Sequence, residues 1–530
     1  MKKITKLSSA AILVAVSFGI NKIIAILRQL IIARQFGLSS DLDVFNVANN
    51  IPDLLYALIS GGALAVAIIP VMTEVMNKQN RDAAWRVFSQ IANIAFLTTL
   101  ALSLLVVIFA WPMVQHPLGI APGFDLEQQT LVVRLMRLNL VGTIIFSMAG
   151  LLIAGLQANQ HFLLPAIGPI LYNFGQIFGA LVLSPDAGYS FGSISLPAYG
   201  LGIDGLLYGV LLGSFLYFII QIPALVIHGF KWTPGLNFRD PDVKKILVML
   251  GPRLAGMLFY QLTFIARDNL ASHLPLGSVT ALTYGWMILQ VPETLIGTAI
   301  GTALLPTLSE QIAKGQKDQF VHTIQNVSRI LIALALPSAI ILSAVLKPFL
   351  TFAFGFDAAG TQLMIATTRA FLAGLLGHVF IELGARIFFA QQDAKTPLIG
   401  SAINLILFLA AGVLLDSLLG APGIALADAI AFSGQALFLI VFYKHQRRVL
   451  STSENAGIAG NNLILPDKPQ AETYFRTLAG SVIGAAIGLV ALRLLSDSFH
   501  PLISGSIAAF AGMLVMVPFI MKEVKLLFRL

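Results

Sequence analysis

Residues 10–33 read AAILVAVSFGINKIIAILRQLIIA, and how this stretch is taken decides the fold. Lys2, Lys3 and Lys6 precede it, the arrangement of a secretory leader. A cleavable leader has an apolar core of about 7–15 residues. Here the apolar run continues to Ala33 and contains Asn21, Lys22 and Arg28. It therefore reads as a retained first membrane helix, long enough to supply the roughly 20 residues that cross the hydrocarbon core.

Outward from this helix the pattern repeats. Fourteen apolar segments of spanning length follow one another, at 10–33, 43–75, 86–111, 129–157, 163–184, 199–228, 243–273, 278–306, 320–346, 359–390, 396–418, 422–446, 474–496 and 500–521. The 530 residues are 57% hydrophobic and 11% charged, with a mean hydropathy of +0.85; soluble domains carry about 25% charged residues. The expected fold class is an all-α polytopic membrane protein. Cysteine is absent, which excludes disulfides, thiolate metal sites and cysteine nucleophiles. The net charge of +8 is explained by where the charges fall. With the N-terminus inside, Lys and Arg crowd the cytoplasmic ends and loops, while the outer side takes Arg34, Lys347 and Arg493. Cytoplasmic loops show this bias. It predicts both termini inside and leaves no need for a nucleic-acid partner.

An internal repeat organises the segments. Gly61, Ala63, Ala67, Pro70 and Glu74 recur as Gly297, Ala299, Ala303, Pro306 and Glu310. Six spans separate the two copies, and an even number preserves orientation, so the halves are expected to be parallel repeats. The resulting division is a six-helix bundle at 1–230, a second at 231–450, a polar cytoplasmic linker at 451–473 and a terminal helix pair at 474–530. Gly480, Ala485, Ala486 and Gly488 would let that pair pack closely on a neighbour.

Nine basic residues fall within spans: Lys22, Arg28, Arg134, Arg137, Arg253, Arg267, Arg329, Arg369 and Arg386. A charge at the bilayer centre costs at least about 2.5–3.5 kcal/mol, so each is expected to meet a cavity, a partner or a helix end. Asn21, Lys22 and Arg28 would give the first helix a cationic wall. Glu382 and Arg386, four apart with the acid first, read as a structural ion pair. Arg267 and Asp268 are adjacent and point apart, toward a cavity or toward other helices. Arg134, Arg137 and Arg329 lie near helix ends, where snorkelling is expected. An excess of cation over acid in a cavity implies an anionic substrate, and arginine suits phosphate or carboxylate. No HExxH, Walker A or GxSxG motif occurs, His378 reads as a packed histidine, and no metal or cofactor is expected. The chain reads as a transporter, not an enzyme, driven by an ion gradient, the membrane potential or the substrate gradient.

Several stretches carry a family resemblance. They are Arg28-Gln-Leu-Ile-Ile-Ala-Arg34-Gln-Phe-Gly37 with Asp43 and Phe45, Ile51-Pro52-Asp53-Leu54-Leu55, Ala121-Pro122-Gly123-Phe124, Asn159-Gln-His-Phe162 to Pro165, Leu304-Leu-Pro306-Thr-Leu-Ser309 and Phe388-Phe-Ala-Gln-Gln-Asp393-Ala-Lys395-Thr-Pro397. Through them the chain resembles the MurJ (MviN) family of lipid II flippases in the MOP exporter superfamily. The resemblance implies a protein of the bacterial cytoplasmic membrane that flips an undecaprenyl-pyrophosphate-linked peptidoglycan precursor, held by its pyrophosphate in a cationic cavity. It also implies a groove formed by the last two helices for the lipid tail. Arg28 and Asp43 stand at charged positions of the family, and Lys22 where arginine is usual. Tyr56 and Trp286 stand where arginines are common. The expected substrate-binding residues are Asn21, Lys22, Arg28, Asp43, Arg253 and Arg267, and the expected partners are lipid II or a related glycolipid and membrane lipids. A flippase for another undecaprenyl-pyrophosphate-linked glycan, an ion-coupled multidrug exporter and a non-transporting scaffold are the alternatives.

Overall fold

The computed structural model of the chain describes residues 6–59, 63–191, 194–454, 468–496 and 498–527; the side chains at 6–15, 18, 63–66, 191, 194, 249–253, 447–454 and 468 lie outside that description. Gly61, Gly62 and most of the expected linker therefore lie outside the described residues. Helices follow in the order α1 (Lys6–Phe36), α2 (Ser40–Ile59), α3 (Ala63–Lys78), α4 (Arg81–Gln115), α5 (Leu126–Ala158), α6 (Leu163–Phe178), α7 (Gly202–Ile219), α8 (Ile222–Ile227), α9 (Pro241–Ala271), α10 (Ser278–Glu293), α11 (Ala299–Ala313), α12 (Lys317–Phe354), α13 (Ala358–Ala373), α14 (Leu375–Ala390), α15 (Lys395–Leu419), α16 (Ala421–Glu454), α17 (Lys468–Leu495) and α18 (Pro501–Leu527). A hairpin of two two-residue strands, β1 (Ser190–Phe191) and β2 (Ile194–Ser195), interrupts them between α6 and α7.

Among the described residues, eleven helical spans are long and apolar enough to cross a membrane. The remaining helices of comparable reach are α1, α9 and the α2–α3 pair; with them the count is compatible with fourteen. Several expected spans are broken. A π-helical turn at Thr294–Thr298 joins α10 to α11 directly after Pro292, which cannot donate a helical hydrogen bond. Outward faces are apolar along the spans: Ile108, Phe109, Leu418, Leu494 and Phe510 are each more than half exposed. Aqueous ends are capped by polar side chains. Asn80 accepts from the Ala83 amide at 2.8 Å, and Asp125 and Gln128 form a reciprocal capping box at the start of α5.

The chain forms two compact units, Met1–Leu276 and Gly277–Leu530. In the first, α5 packs on α2, α3, α4 and α7, α6 packs on α1 and α7, and α9 packs on α3 and α2. The α6–α7 crossing brings backbone against backbone. A Cβ on Gly175 would lie 2.4 Å from the Gly213 Cα, and one on Gly209 would lie 2.7 Å from the Gly175 carbonyl. In the second unit, α13 and α14 pack on α16, α15 packs on α16, and α17 and α18 pack on each other and on α12. Gly484 and Gly512 meet at that last contact, each 2.6–2.8 Å from the other's carbonyl if given a Cβ.

Each unit contains the same unusual turn. Gln160 and Gln392 are the non-glycine residues with positive φ among the described residues, at 58° and 60°. After α5, the amides of Gln160 and His161 donate to Gln157 and Leu156; after α14, those of Gln392 and Asp393 donate to Phe389 and Phe388. The offset is identical, and Ala158 and Pro165 recur as Ala390 and Pro397 at the same spacing. In the second turn Asp393 accepts from the Lys395 and Thr396 amides at 2.9 and 3.0 Å and from the Thr396 hydroxyl at 2.6 Å. Burial alone would raise its carboxyl, but these bonds and the Lys395 charge hold it below the ordinary carboxylate range.

Candidate functional site

One polar cavity, of about 320 Å³, lies within the first unit. Helical periodicity explains its walls. From α2, Leu42, Phe45, Asn46, Asn49, Asp53 and Tyr56 face it at steps of three and four. From α5 come Asn139, Gly142, Thr143 and Phe146; from α6, Tyr172 and Gln176; from α7, Val210 and Ser214; and from α1, Arg28, Gln29 and Ile32. Amides and hydroxyls thus outnumber ions. Arg28 and Asp53 supply one charge of each sign.

The lining is partly pre-ordered by its own contacts. Asn139 donates to the Asn49 side chain at 2.5 Å, and Arg28 Nη2 to Gln29 Oε1 at 3.2 Å. The Thr143 and Ser214 hydroxyls donate back to the carbonyls one turn earlier, at 3.2 and 2.8 Å. On one side aromatic rings are packed together: Phe146 lies 4.7 Å from Tyr56, 4.7 Å from Tyr172 and 4.5 Å from Tyr217. Tyr56, at a position where the family resemblance would place an arginine, extends this aromatic wall.

The six expected binding residues separate. Arg28 lines the cavity. Asn21, seven residues earlier on α1, accepts a 2.9 Å hydrogen bond from Asn173 and ties α1 to α6. Lys22 is exposed on α1 and is not among the residues lining the cavity. Asp43 is 2% exposed in the first turn of α2. The Arg253 side chain lies outside the described residues.

Arg267 and Asp268 do face each other, although neighbours on a helix ordinarily point apart. Arg267 Nε meets Asp268 Oδ1 at 2.9 Å, its guanidinium sits 4.8 Å over the Phe264 ring, and Asp268 Oδ2 accepts from Asn50 at 2.6 Å. Both are buried. The cluster couples α9 to α2.

Each of the helix-end arginines also has a polar partner within the protein. Arg134 pairs with Asp204 at 2.9 Å. Arg137 donates to the Val107 carbonyl at 3.1 Å. Arg329 reaches Glu523 at 2.8 Å, and Glu523, 1% exposed, also accepts from Arg476 at 2.5 Å and Thr473 at 2.9 Å. Glu382 and Arg386 form the expected pair, at 2.8 Å.

The neutral lining of the cavity was not legible in advance. Asn46, Asn49, Asn139 and Gln176 are unremarkable one by one. The available signal was periodicity: Asn46, Asn49 and Asp53 fall on one stripe of α2 with Tyr56.

Helices of spanning length, apolar toward the outside, with a polar cavity walled by five of them, define a multi-pass membrane transporter. A profile of the lipid II flippase MurJ family matches residues 32–509. The chain belongs to that family. It is 28% identical over 431 residues to the lipid II flippase MurJ of Burkholderia cenocepacia, covering 80% of this chain and 81% of that one. It is also 28% identical over 448 residues to the probable lipid II flippase MurJ of Vibrio cholerae, covering 82% of each. Among solved structures, a lipid II flippase MurJ in an inward closed conformation superposes with a TM-score of 0.75 at 20% identity, over 97% of this chain and 100% of that one. An inward-facing multidrug resistance MATE transporter of the MOP superfamily superposes at 0.65 with 13% identity, over 84% and 100%. These two likenesses concern the fold.

Proposed function

We propose that the chain flips lipid II, the undecaprenyl-pyrophosphate-linked disaccharide-pentapeptide, from the inner to the outer leaflet by alternating access, and so serves cell-wall synthesis. The observation that carries this reading is Arg28 set in a polar cavity on five membrane helices. A planar guanidinium binds phosphate oxygens through paired hydrogen bonds, and the surrounding amides and hydroxyls suit sugar and peptide groups. Within the cavity the proposed headgroup site rests on Arg28 with the neutral groups around it, Asn46, Asn49, Asn139 and Gln176; Lys22, Asp43 and Arg267 do not line it. Both termini are assigned to the cytoplasm, and the chain to two parallel six-helix bundles with a terminal helix pair.

The test is replacement of the resident flippase in a strain depleted of it. The chain should restore growth, and Arg28→Ala should fail while remaining in the membrane at normal abundance. Charge-assisted hydrogen bonds are worth about 1.5–3 kcal/mol each, so headgroup affinity should fall roughly 10- to 100-fold. Growth restored by Arg28→Ala would refute the role of Arg28. Failure of the unaltered chain, with rescue of a strain lacking an O-antigen or capsule flippase, would assign another glycan on the same pyrophosphate.

A further inference from the structure

The second unit holds a buried ionisable pair that is not among the residues lining the cavity of the first. His378 on α14 and Asp428 on α16 are each 5% exposed, and His378 Nε2 lies 3.3 Å from Asp428 Oδ2. Among the described residues, His378 is the hydrogen-bonding partner of Asp428. Two rings enclose the imidazole. Phe432 stacks on it at 3.8 Å with 24° between planes, and Trp286 meets it edge-on at 5.2 Å. The two helices run backbone against backbone beside the pair. A Cβ on Gly377 would lie 2.8 Å from the Ser433 Cα, and one on Gly374 would lie 2.6 Å from the Ala429 Cα.

Charge decides what such a site does. With a neutral imidazole and an ionised carboxylate, it leaves one uncompensated negative charge within membrane helices, which is costly. One added proton turns the imidazole into a cation, cancels the net charge and adds cation–π attraction from the face of the stacked Phe432 ring. Imidazole is the side chain suited to gaining and losing a proton near neutral pH.

Most other ionisable groups on the helices packed around α14 and α16 are engaged elsewhere or sit at helix ends; Tyr284 on α10 is buried against the Phe354 and Phe356 rings, and Tyr443 and His445 lie toward the C-terminal end of α16, Tyr443 against Phe320. Glu382, one turn along α14, pairs with Arg386 at 2.8 Å. Glu293 on α10 accepts from Thr298 at 3.1 Å, and Glu310 on α11 pairs with Lys314. On α12, Arg329 binds Glu523, Lys347 is exposed near the C-terminal end, and Lys317, Asp318 and His322 occupy the first turns. Arg369 on α13 donates to the Ser343 carbonyl at 2.9 Å. Lys395 and Asp416 stand in the first and last turns of α15, and Lys444 toward the C-terminal end of α16.

We propose that His378 and Asp428 form a proton-binding site, enclosed by Trp286 and Phe432, whose loading and unloading is coupled to the conformational cycle of the transporter. The proton arrives from water on the imidazole and leaves to water, and no bond other than N–H forms or breaks. This rests on the chain being a transporter but not on the identity of its substrate.

The test needs no substrate. A protonated imidazole beside an indole quenches its fluorescence. In the purified full-length protein, the emission lost in Trp286→Phe should fall as pH is lowered from about 8 to 5, the span in which imidazoles change charge. His378→Gln should abolish this titration, and Asp428→Asn should move its midpoint to lower pH, with thermal unfolding confirming that each variant is folded. Because the chain has no cysteine, Gln29→Cys, in the first-unit cavity, gives a single reporter. Its alkylation rate, normalised to that of the unfolded protein, should change over the same pH range and lose the change in His378→Gln. A flat titration of the Trp286 emission, or one that survives in His378→Gln, overturns the site. A normal titration with an unchanged alkylation rate overturns the coupling.

Discussion

Glu523 shows how a charge comes to be tolerated at the edge of a membrane helix. Its carboxylate receives Arg329 from α12 and Arg476 and Thr473 from α17, so it holds three helices with one side chain. Removing a single partner from a buried ion pair leaves the others uncompensated and costs about 3–5 kcal/mol. Glu523→Gln should therefore lower the unfolding temperature in detergent markedly, and Glu523→Ala further; an unchanged melt would mean the cluster contributes nothing net. The sequence singled out Arg329 as a helix-end cation and named no partner for it. Arg134, Arg137 and Arg329 lie where long side chains usually turn to water, and only packing reveals Asp204, the Val107 carbonyl and Glu523. Arg28 was legible because a cation in the first apolar helix has so few explanations. The amides around it were not, because an asparagine gains meaning only when α2 and α5 are placed face to face.

Helix pairs in this chain are set by what is missing from their surfaces. Lipid tails are as apolar as leucine, so burial drives little association, and close backbone approach matters instead. Gly205, Gly209 and Gly213 repeat every four residues on α7 and face Gly175 and Gly179 along the end of α6 and the turn that follows. Gly209→Leu should force the two helices apart, at about 1–3 kcal/mol or more for overpacking, and should loosen the cavity wall that carries Tyr172 and Ser214. Thermal unfolding of the variant checks the first effect; a melt equal to the parent's would argue that the crossing adapts without cost. Helix existence was plain from hydropathy alone. The breaks were less so: Pro292 announces an interruption, but its form, a π-helical turn, follows from how the neighbouring amides find new acceptors.

For the whole chain, two independent signals support a doubled ancestry of the architecture. One is the sequence echo of Pro70 and Glu74 in Pro306 and Glu310. The other is the twin left-handed turn at Gln160 and Gln392, with matched hydrogen bonds. Under the proposed topology both turns face the cytoplasm, as parallel repeats require. A cysteine-free chain makes this easy to check. Ala187→Cys, before the hairpin, should react with a membrane-impermeant maleimide on intact spheroplasts, whereas Lys231→Cys should react only after lysis. The reverse pattern would invert the orientation and with it the direction assigned to transport.

The contact between Arg329 and Glu523 also imposes an order of events during synthesis. Its two residues are 194 positions apart, so at roughly 5–20 residues per second the ribosome needs about 10–40 s to deliver the acid after the arginine has emerged. Over that interval α12 must be held by the insertion machinery or by headgroups. A message truncated before α18 would leave a nascent protein with an unanswered cation, a natural flag for quality-control proteases.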